Sequence, residues 1–193
     1  PGGCAWGPRP VNYHLQAMEA LGAEVDLSDG MIIAKGYLKG ALIDFERSSV
    51  GATGNALMAS VTAQGKTLIK NAAREPEITA LCIFLKKMGA EIIGEGTNEI
   101  TIQGKQKLKA DVDYTVIPDR IEAGTFLIAG AITAGDISVE NIEPDHLHIL
   151  SKYLNDAGFK LDLKQNSIRI QSSGNSIRPV DITTAIYPGF PTD

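Results

Sequence analysis

A thiol and a guanidinium stand five residues apart near the start of the chain, Cys4 and Arg9 within Pro1-Gly-Gly-Cys4-Ala-Trp-Gly-Pro-Arg9-Pro10. A thiolate is a nucleophile and a proton carrier, and a neighbouring cation favours its formation. Three glycines and three prolines in these ten positions predict a loop with no helix or strand, free in its dihedrals at some points and fixed at others. Two readings stay open on these residues alone: an exposed, reactive thiol on a catalytic lid, or a small thiol filling a turn.

Three strand-to-helix junctions carry further polar groups. In Arg47-Ser48-Ser49-Val50-Gly51-Ala52-Thr53-Gly54 a cation, hydroxyls and a glycine meet at one helix start, the outline of a phosphate site, although serine there also serves as a plain cap. Gly-Lys-Ser/Thr is absent, so this is no Walker loop. Pro118-Asp119-Arg120-Ile121-Glu122 places Asp119 where it caps a helix or joins a catalytic cluster. Tyr187-Pro-Gly-Phe-Pro191-Thr192-Asp193 is a stiff loop delivering one carboxylate, Asp193, either a cap or a general base.

The elements that must position these groups repeat. Pro10, Pro76 and Pro144 each open a helix, closed by Gly22, Gly89 and Gly158, and each helix leads into a two-stranded ribbon. The predicted segments are helix 11–21 with strands 23–27 and 31–35, helix 75–88 with strands 90–93 and 99–102, and helix 143–157 with strands 159–163 and 167–170. Between them lie half-units: strand 41–45, helix 50–64 and strand 67–70, then strand 112–116, helix 120–134 and strand 137–139, with 180–183 opening a third. The spacing predicts repeated βαβαββ units. Helices rich in small residues, such as 124–130, predict close approach and burial on most sides, with helices inside and sheets outside.

Composition narrows the class. With 193 residues, 44% hydrophobic and 21% charged, the chain reads as a globular protein of one or two domains. A net charge of -5 and no basic run point away from nucleic acid and anionic membranes. No apolar stretch is long enough to span a bilayer and no signal peptide is visible, which predicts a cytoplasmic protein. Cys82, in Leu81-Cys-Ile-Phe-Leu85, is expected in the core, and His14, His146 and His148 show no metal-ligand spacing, so neither metal nor cofactor is expected. The chain starts without methionine inside a loop, which predicts a fragment or a cut chain.

Five motifs in order, Gly2-Gly-Cys4-Ala-Trp-Gly-Pro-Arg9-Pro10-Val11, Ser49-Val50-Gly51-Ala-Thr53, Asn71-Ala-Ala-Arg-Glu75-Pro-Glu77, Pro118-Asp119-Arg-Ile-Glu122 and Phe190-Pro-Thr-Asp193, resemble the bacterial UDP-N-acetylglucosamine 1-carboxyvinyltransferase family. The resemblance runs end to end. It implies an enolpyruvyl transferase fold of two domains, each a threefold inside-out α/β barrel. It also implies transfer of enolpyruvate from phosphoenolpyruvate to the sugar 3-hydroxyl of UDP-N-acetylglucosamine, with release of phosphate, in peptidoglycan synthesis. By this resemblance Cys4 is the lid thiol in proton transfer and product release, alkylated by fosfomycin, and Arg9 binds phosphoenolpyruvate. Pro10, Val11, Asn12 and Tyr13 would line the uridine end, and Arg47, Ser49, Val50 and Gly51 would hold the diphosphate. Asp193 would be the base at the sugar hydroxyl, while Glu75 and Asp119 match family site positions. Asn12 and Tyr13 stand where the family often has aspartate and leucine, and Trp6 is bulkier than usual.

The family's N-terminal section, with a lysine-asparagine pair and an arginine, and its C-terminal section have no counterpart here. The resemblance therefore implies an internal fragment, inactive alone, with residues 1–117 ending the catalytic-loop domain and 118–193 beginning the second. Both barrels would be incomplete, and the missing parts of the same enzyme would be needed to complete the site. Two rivals remain: the related transferase acting on shikimate 3-phosphate, which lacks the lid cysteine, and a catalytically silent repeat module that binds a partner.

Overall fold

The computed structural model describes residues 10–28, 30–171 and 177–192, and the backbone of 3–4 and 7–8. They form two compact units, Pro1–Tyr114 and Thr115–Asp193.

The first unit begins with a short antiparallel pair, β1 (Gly3–Cys4) and β2 (Gly7–Pro8). The glycine-proline stretch was expected to hold no strand; a two-residue ladder needs only backbone groups, which glycine supplies freely. Helix α1 (Asn12–Ala20) follows, then the antiparallel hairpin β3 (Glu24–Ser28) and β4 (Met31–Lys35). Next come β5 (Leu42–Asp44), α2 (Val50–Ser60) and β6 (Lys66–Lys70), with β5 and β6 parallel as a helical crossover requires. Helix α3 (Pro76–Lys87) leads into β7 (Glu91–Ile93) and β8 (Glu99–Gln103), completing a sheet of order β5-β6-β8-β7. Proline at the start of α3, Glu77 in its first turn and Lys86 and Lys87 in its last each match the helix termini and dipole.

This sheet alternates. Thr67 and Ile69 of β6 and Ile100 and Ile102 of β8 are buried, while Lys66, Glu99 and Gln103 face water. The buried face meets α2, whose Ala52, Thr53, Gly54, Ala56, Leu57 and Ser60 are all buried. Helices thus lie inside and the sheet outside, because small residues let α2 approach its neighbours closely. At the far end of α2 the chain passes so near that a Cβ on Gly104 would overlap the carbonyl oxygen of Ala63.

The second unit contains α4 (Arg120–Ile132), β9 (Asp136–Glu140), a 3-10 turn over Pro144–Leu147, α5 (His148–Asp156), β10 (Lys160–Lys164) and β11 (Ser167–Gln171). Its sheet has the order β10-β11-β9, which repeats β7-β8-β6 of the first unit strand for strand. Gly130 of α4 lies where a Cβ would stand 2.7 Å from Ile137 and 3.1 Å from Ile170, so the predicted close approach is present on that face. Burial on most sides is not: Phe126 and Ile132 on α4 are exposed.

Two expected strands are absent. Residues 112–116, the counterpart of β5, are not extended against a partner. Side chains hold this segment instead: the Tyr114 ring lies 5.3 Å from Phe84, its hydroxyl donates to the Ala80 carbonyl at 3.0 Å, and Lys87 donates to the Asp113 carbonyl at 3.3 Å. Residues 180–183 likewise form no strand; the nearest pairing is one bridge between Thr184 and Phe190. A strand exists only where a neighbour takes its backbone groups, and among the described residues neither segment has one.

On the sheet of the second unit, Arg169 donates to both carboxylate oxygens of Asp136 at 2.7 and 2.6 Å, and Gln171 adds a third bond at 2.9 Å. The Arg169 bond, then that of Gln171, brings the Asp136 carboxyl from an ordinary 3.8 down to about 2. Because the folded value is depressed, the stabilisation is present above the unfolded value and is lost as pH falls through about 4 towards 2. A carboxyl carbon NMR titration should place Asp136 near 2 and return it towards 3.8 in Arg169→Gln; an unchanged titration in that variant would contradict the assignment. Gly104→Ala should lower stability by about 1–3 kcal/mol in urea unfolding, since a backbone carbonyl cannot rotate away.

Candidate functional site

In the first unit the site is built where β5 ends and α2 begins. Phe45 is fully buried and packs on Tyr13 of α1 with ring centroids 5.7 Å apart, so the chain beyond it must turn outward. Gln16 of α1 donates to the Asp44 carbonyl at 2.9 Å. Asn71, in the left-handed region at φ 54°, donates to the Phe45 carbonyl at 2.7 Å and to the Asp44 carboxylate at 3.2 Å. Asparagine tolerates that backbone better than most side chains. The end of β5 is therefore held from two sides, and exposed Arg47 and half-buried Ser49 follow it at a fixed exit.

Ser49 caps α2, with φ −142° and ψ 118° and its Oγ accepting from the Ala52 amide at 3.4 Å. That bond is long, so the hydroxyl is only weakly committed to the cap. The amides of Val50 and Gly51 precede the first intrahelical bond, and no acidic residue occupies the first turn to offset the positive end of the dipole. An anion is the partner such a terminus favours. Asp119, capping α4, differs. Its Oδ1 accepts from Ile121 at 2.8 Å and Glu122 at 3.1 Å, and Glu122 adds a second charge in that turn. The structure makes Asp119 a tight helix cap.

Of the residues expected at a uridine end, Val11 caps α1, Asn12 opens it exposed, Pro10 precedes it exposed, and Tyr13 is half-buried against Phe45. Helix α1 lies on α2, so 10–13 and 49–51 belong to one packed face of the first unit. Glu75 caps α3 through its backbone without a side-chain cap bond. The loop leading to it is tied to α2 by Thr53, whose Oγ1 accepts from the Ala73 amide at 3.0 Å. The Cys4 side chain, Arg9 and Asp193 lie outside the described residues.

Cys82 is fully buried in α3, as its apolar run predicts. Burial, reinforced by the Glu95 carboxylate, pushes its thiol up to about 11, so it stays protonated and unreactive at neutral pH. Lys86, bonded to Glu95, lowers the Glu95 carboxyl. No group of metal-binding side chains occurs among the described residues, and no described helix is long and apolar enough to cross a membrane.

In the second unit the two remaining motifs meet. A solvent-open cleft is lined by Arg120 and Ile121 of α4 and by Tyr187, Gly189, Phe190 and Pro191, together with His146 and Leu150. The Arg120 guanidinium stands 5.3 Å from the centre of the Tyr187 ring, and Phe190 meets Tyr153 edge-on at 5.4 Å. Aromatic contacts thus hold Tyr187 and Phe190 in place. Sequence reasoning passed over Gln16 and named Thr53 and Asn71 only within motifs, without the holding contacts they make. Only Asn71 carried a signal, as an asparagine directly after a strand.

The model of the EPSP synthase (3-phosphoshikimate 1-carboxyvinyltransferase) family matches residues 1–193. UDP-N-acetylglucosamine 1-carboxyvinyltransferase of Chlorobium limicola is 55% identical over all of this chain and 46% of its own length. UDP-N-acetylglucosamine 1-carboxyvinyltransferase 1 of Staphylococcus aureus is 50% identical with the same coverage. The chain spans less than half the length of these curated relatives. Among solved structures, the enolpyruvyl transferase NikO from Streptomyces tendae aligns with a TM-score of 0.83 at 25% identity, over 95% of this chain and 47% of NikO. EPSP synthase from Acinetobacter baumannii aligns at 0.63 and 22% identity, over 86% of this chain and 40% of its own, a likeness of fold alone. With repeated βαβαββ units, incomplete barrels and a family match along its whole length, the chain belongs to the EPSP synthase (3-phosphoshikimate 1-carboxyvinyltransferase) family.

Proposed function

We propose that the protein to which this chain contributes transfers the enolpyruvyl group of phosphoenolpyruvate to the 3-hydroxyl of UDP-N-acetylglucosamine and releases phosphate, as a cytoplasmic step of peptidoglycan synthesis. The observation that carries this reading is the 55% identity, across all of this chain, to a relative of that name. The shikimate 3-phosphate reaction is disfavoured, since the EPSP synthase structure shares 22% identity and the fold alone.

The chemistry is an addition followed by an elimination. The sugar 3-hydroxyl gives up its proton and bonds to C2 of phosphoenolpyruvate while C3 gains a proton, forming a tetrahedral intermediate. Loss of a C3 proton then expels phosphate from C2 and restores the double bond. The α2 terminus suits the diphosphate: the Val50 and Gly51 amides and the Ser49 hydroxyl supply donors, Arg47 supplies charge, and no acid opposes them. Pro10 to Tyr13, packed beside that turn, take the uridine end. We assign phosphoenolpyruvate and the leaving phosphate to Arg9, proton transfer and product release to Cys4, and the sugar hydroxyl proton to Asp193. Glu75 and Asp119, which match family site positions, are assigned to substrate binding. Residues 1–117 belong to the catalytic-loop domain and 118–193 to the next barrel, and parts of the same enzyme outside this chain complete the site.

In the full-length protein, phosphate should be released from phosphoenolpyruvate only when UDP-N-acetylglucosamine is added. Release with shikimate 3-phosphate in its place would contradict the assignment. Fosfomycin should add covalently at Cys4, faster with the UDP-sugar present, and leave Cys82 untouched; peptide mass spectrometry showing no adduct at Cys4 would remove the lid thiol from the account.

A further inference from the structure

His14 stands on α1 directly after the uridine-end segment, and its half-buried ring lies on the first turn of α2. Asn55 Nδ2 is 2.6 Å from His14 Nδ1 across the α1–α2 contact. The amide N–H donates and the imidazole nitrogen accepts, so the ring hydrogen sits on Nε2. The adjoining Cε1–Nε2 edge of the ring lies beside Gly51. A Cβ there would stand 3.2 Å from His14 Cε1 and 3.3 Å from Nε2, so a bare glycine leaves room for this edge of the ring against the diphosphate turn. One side chain therefore touches both halves of the nucleotide site: its backbone continues Pro10 to Tyr13, and its ring is bonded and packed to the helix that presents Ser49 to Gly51.

We infer that His14 is a positioning residue for UDP-sugar binding: through its bond to Asn55 and its contact with Gly51 it sets the spacing between the uridine-end segment and the diphosphate turn. The inference rests on the function proposed above. A nucleoside diphosphate held at its uracil by one segment and at its diphosphate by another is bound well only when the two segments are correctly placed, so misplacing one weakens the grip on the whole ligand. By the assignment above phosphoenolpyruvate is bound by Arg9 and not by the diphosphate turn, so its KM is expected to respond less to the tie than that of the UDP-sugar.

The test uses the full-length protein with Asn55→Leu, His14→Leu, both together, and Asn55→Asp, which restores a bond of reversed polarity. Each single leucine variant should raise KM for UDP-N-acetylglucosamine about fivefold, and the pair should raise it no further, because the two residues act as one unit. The phosphoenolpyruvate KM and kcat should stay within about twofold, and Asn55→Asp should recover the UDP-sugar KM to within about twofold. Independently of any variant, nitrogen NMR of the native imidazole should show an unprotonated Nδ1. A protonated Nδ1, additive effects, or an unchanged UDP-sugar KM in folded Asn55→Leu would overturn the inference. If the unsubstituted protein has no affinity for UDP-N-acetylglucosamine, the proposed function falls and this inference with it; if it binds and the variants bind equally well, the inference alone falls.

Discussion

Everything in the first unit depends on one constraint: α2 has to be buried along most of its length while its N-terminus stays at the surface. Ala52, Ala56 and Leu57 fill the interior, and the small side chains between them let α1, α3 and the sheet close in. A helix so enclosed cannot tilt, and its first turn is therefore a fixed set of donors. The neighbours that enclose it also fix what surrounds that turn. Gln16 and Asn71 hold the strand end that precedes it, and Thr53 reaches from its interior to the loop before α3. Packing and site geometry are the same interactions seen from two sides.

The repeat explains why the two units resemble one another and where they differ. The order β6-β8-β7 recurs as β9-β11-β10 with matching antiparallel pairing. In the first unit β5 completes the sheet; in the second β9 is an edge strand among the described residues, and Asp113 and Tyr114, within a segment that has the sequence of a strand, are engaged inside the first unit by Phe84, Ala80 and Lys87. Helix termini diverge in the same way. Ser49 holds its cap loosely at 3.4 Å and leaves donors to spare, whereas Asp119 holds two amides at 2.8 and 3.1 Å. Similar scaffolds thus give one end suited to an anion and one closed by its own carboxylate.

Much of this was legible in the sequence because it is periodic. The proline and glycine punctuation located α1, α3 and the three ribbons to within a residue or two. What escaped was whatever depends on a distant partner. Val112 to Val116 has strand composition, but pairing is decided by a neighbour that sequence does not reveal. The Glu143 to Ala157 helix divides into a 3-10 turn and α5 at Leu147 with no local signal. The motifs were legible, and the contacts that hold them were not: Asn55 reads as an ordinary helix residue until His14, 41 positions away, is placed beside it.

The central claim is that the first turn of α2 receives the diphosphate of a UDP-sugar. The most direct measurement is a crystal structure of the full-length protein with UDP-N-acetylglucosamine bound. Diphosphate oxygens within hydrogen-bond distance of the Val50 and Gly51 amides and the Ser49 hydroxyl are the predicted result. A bound nucleotide whose phosphates make no contact with residues 49–51 would contradict it.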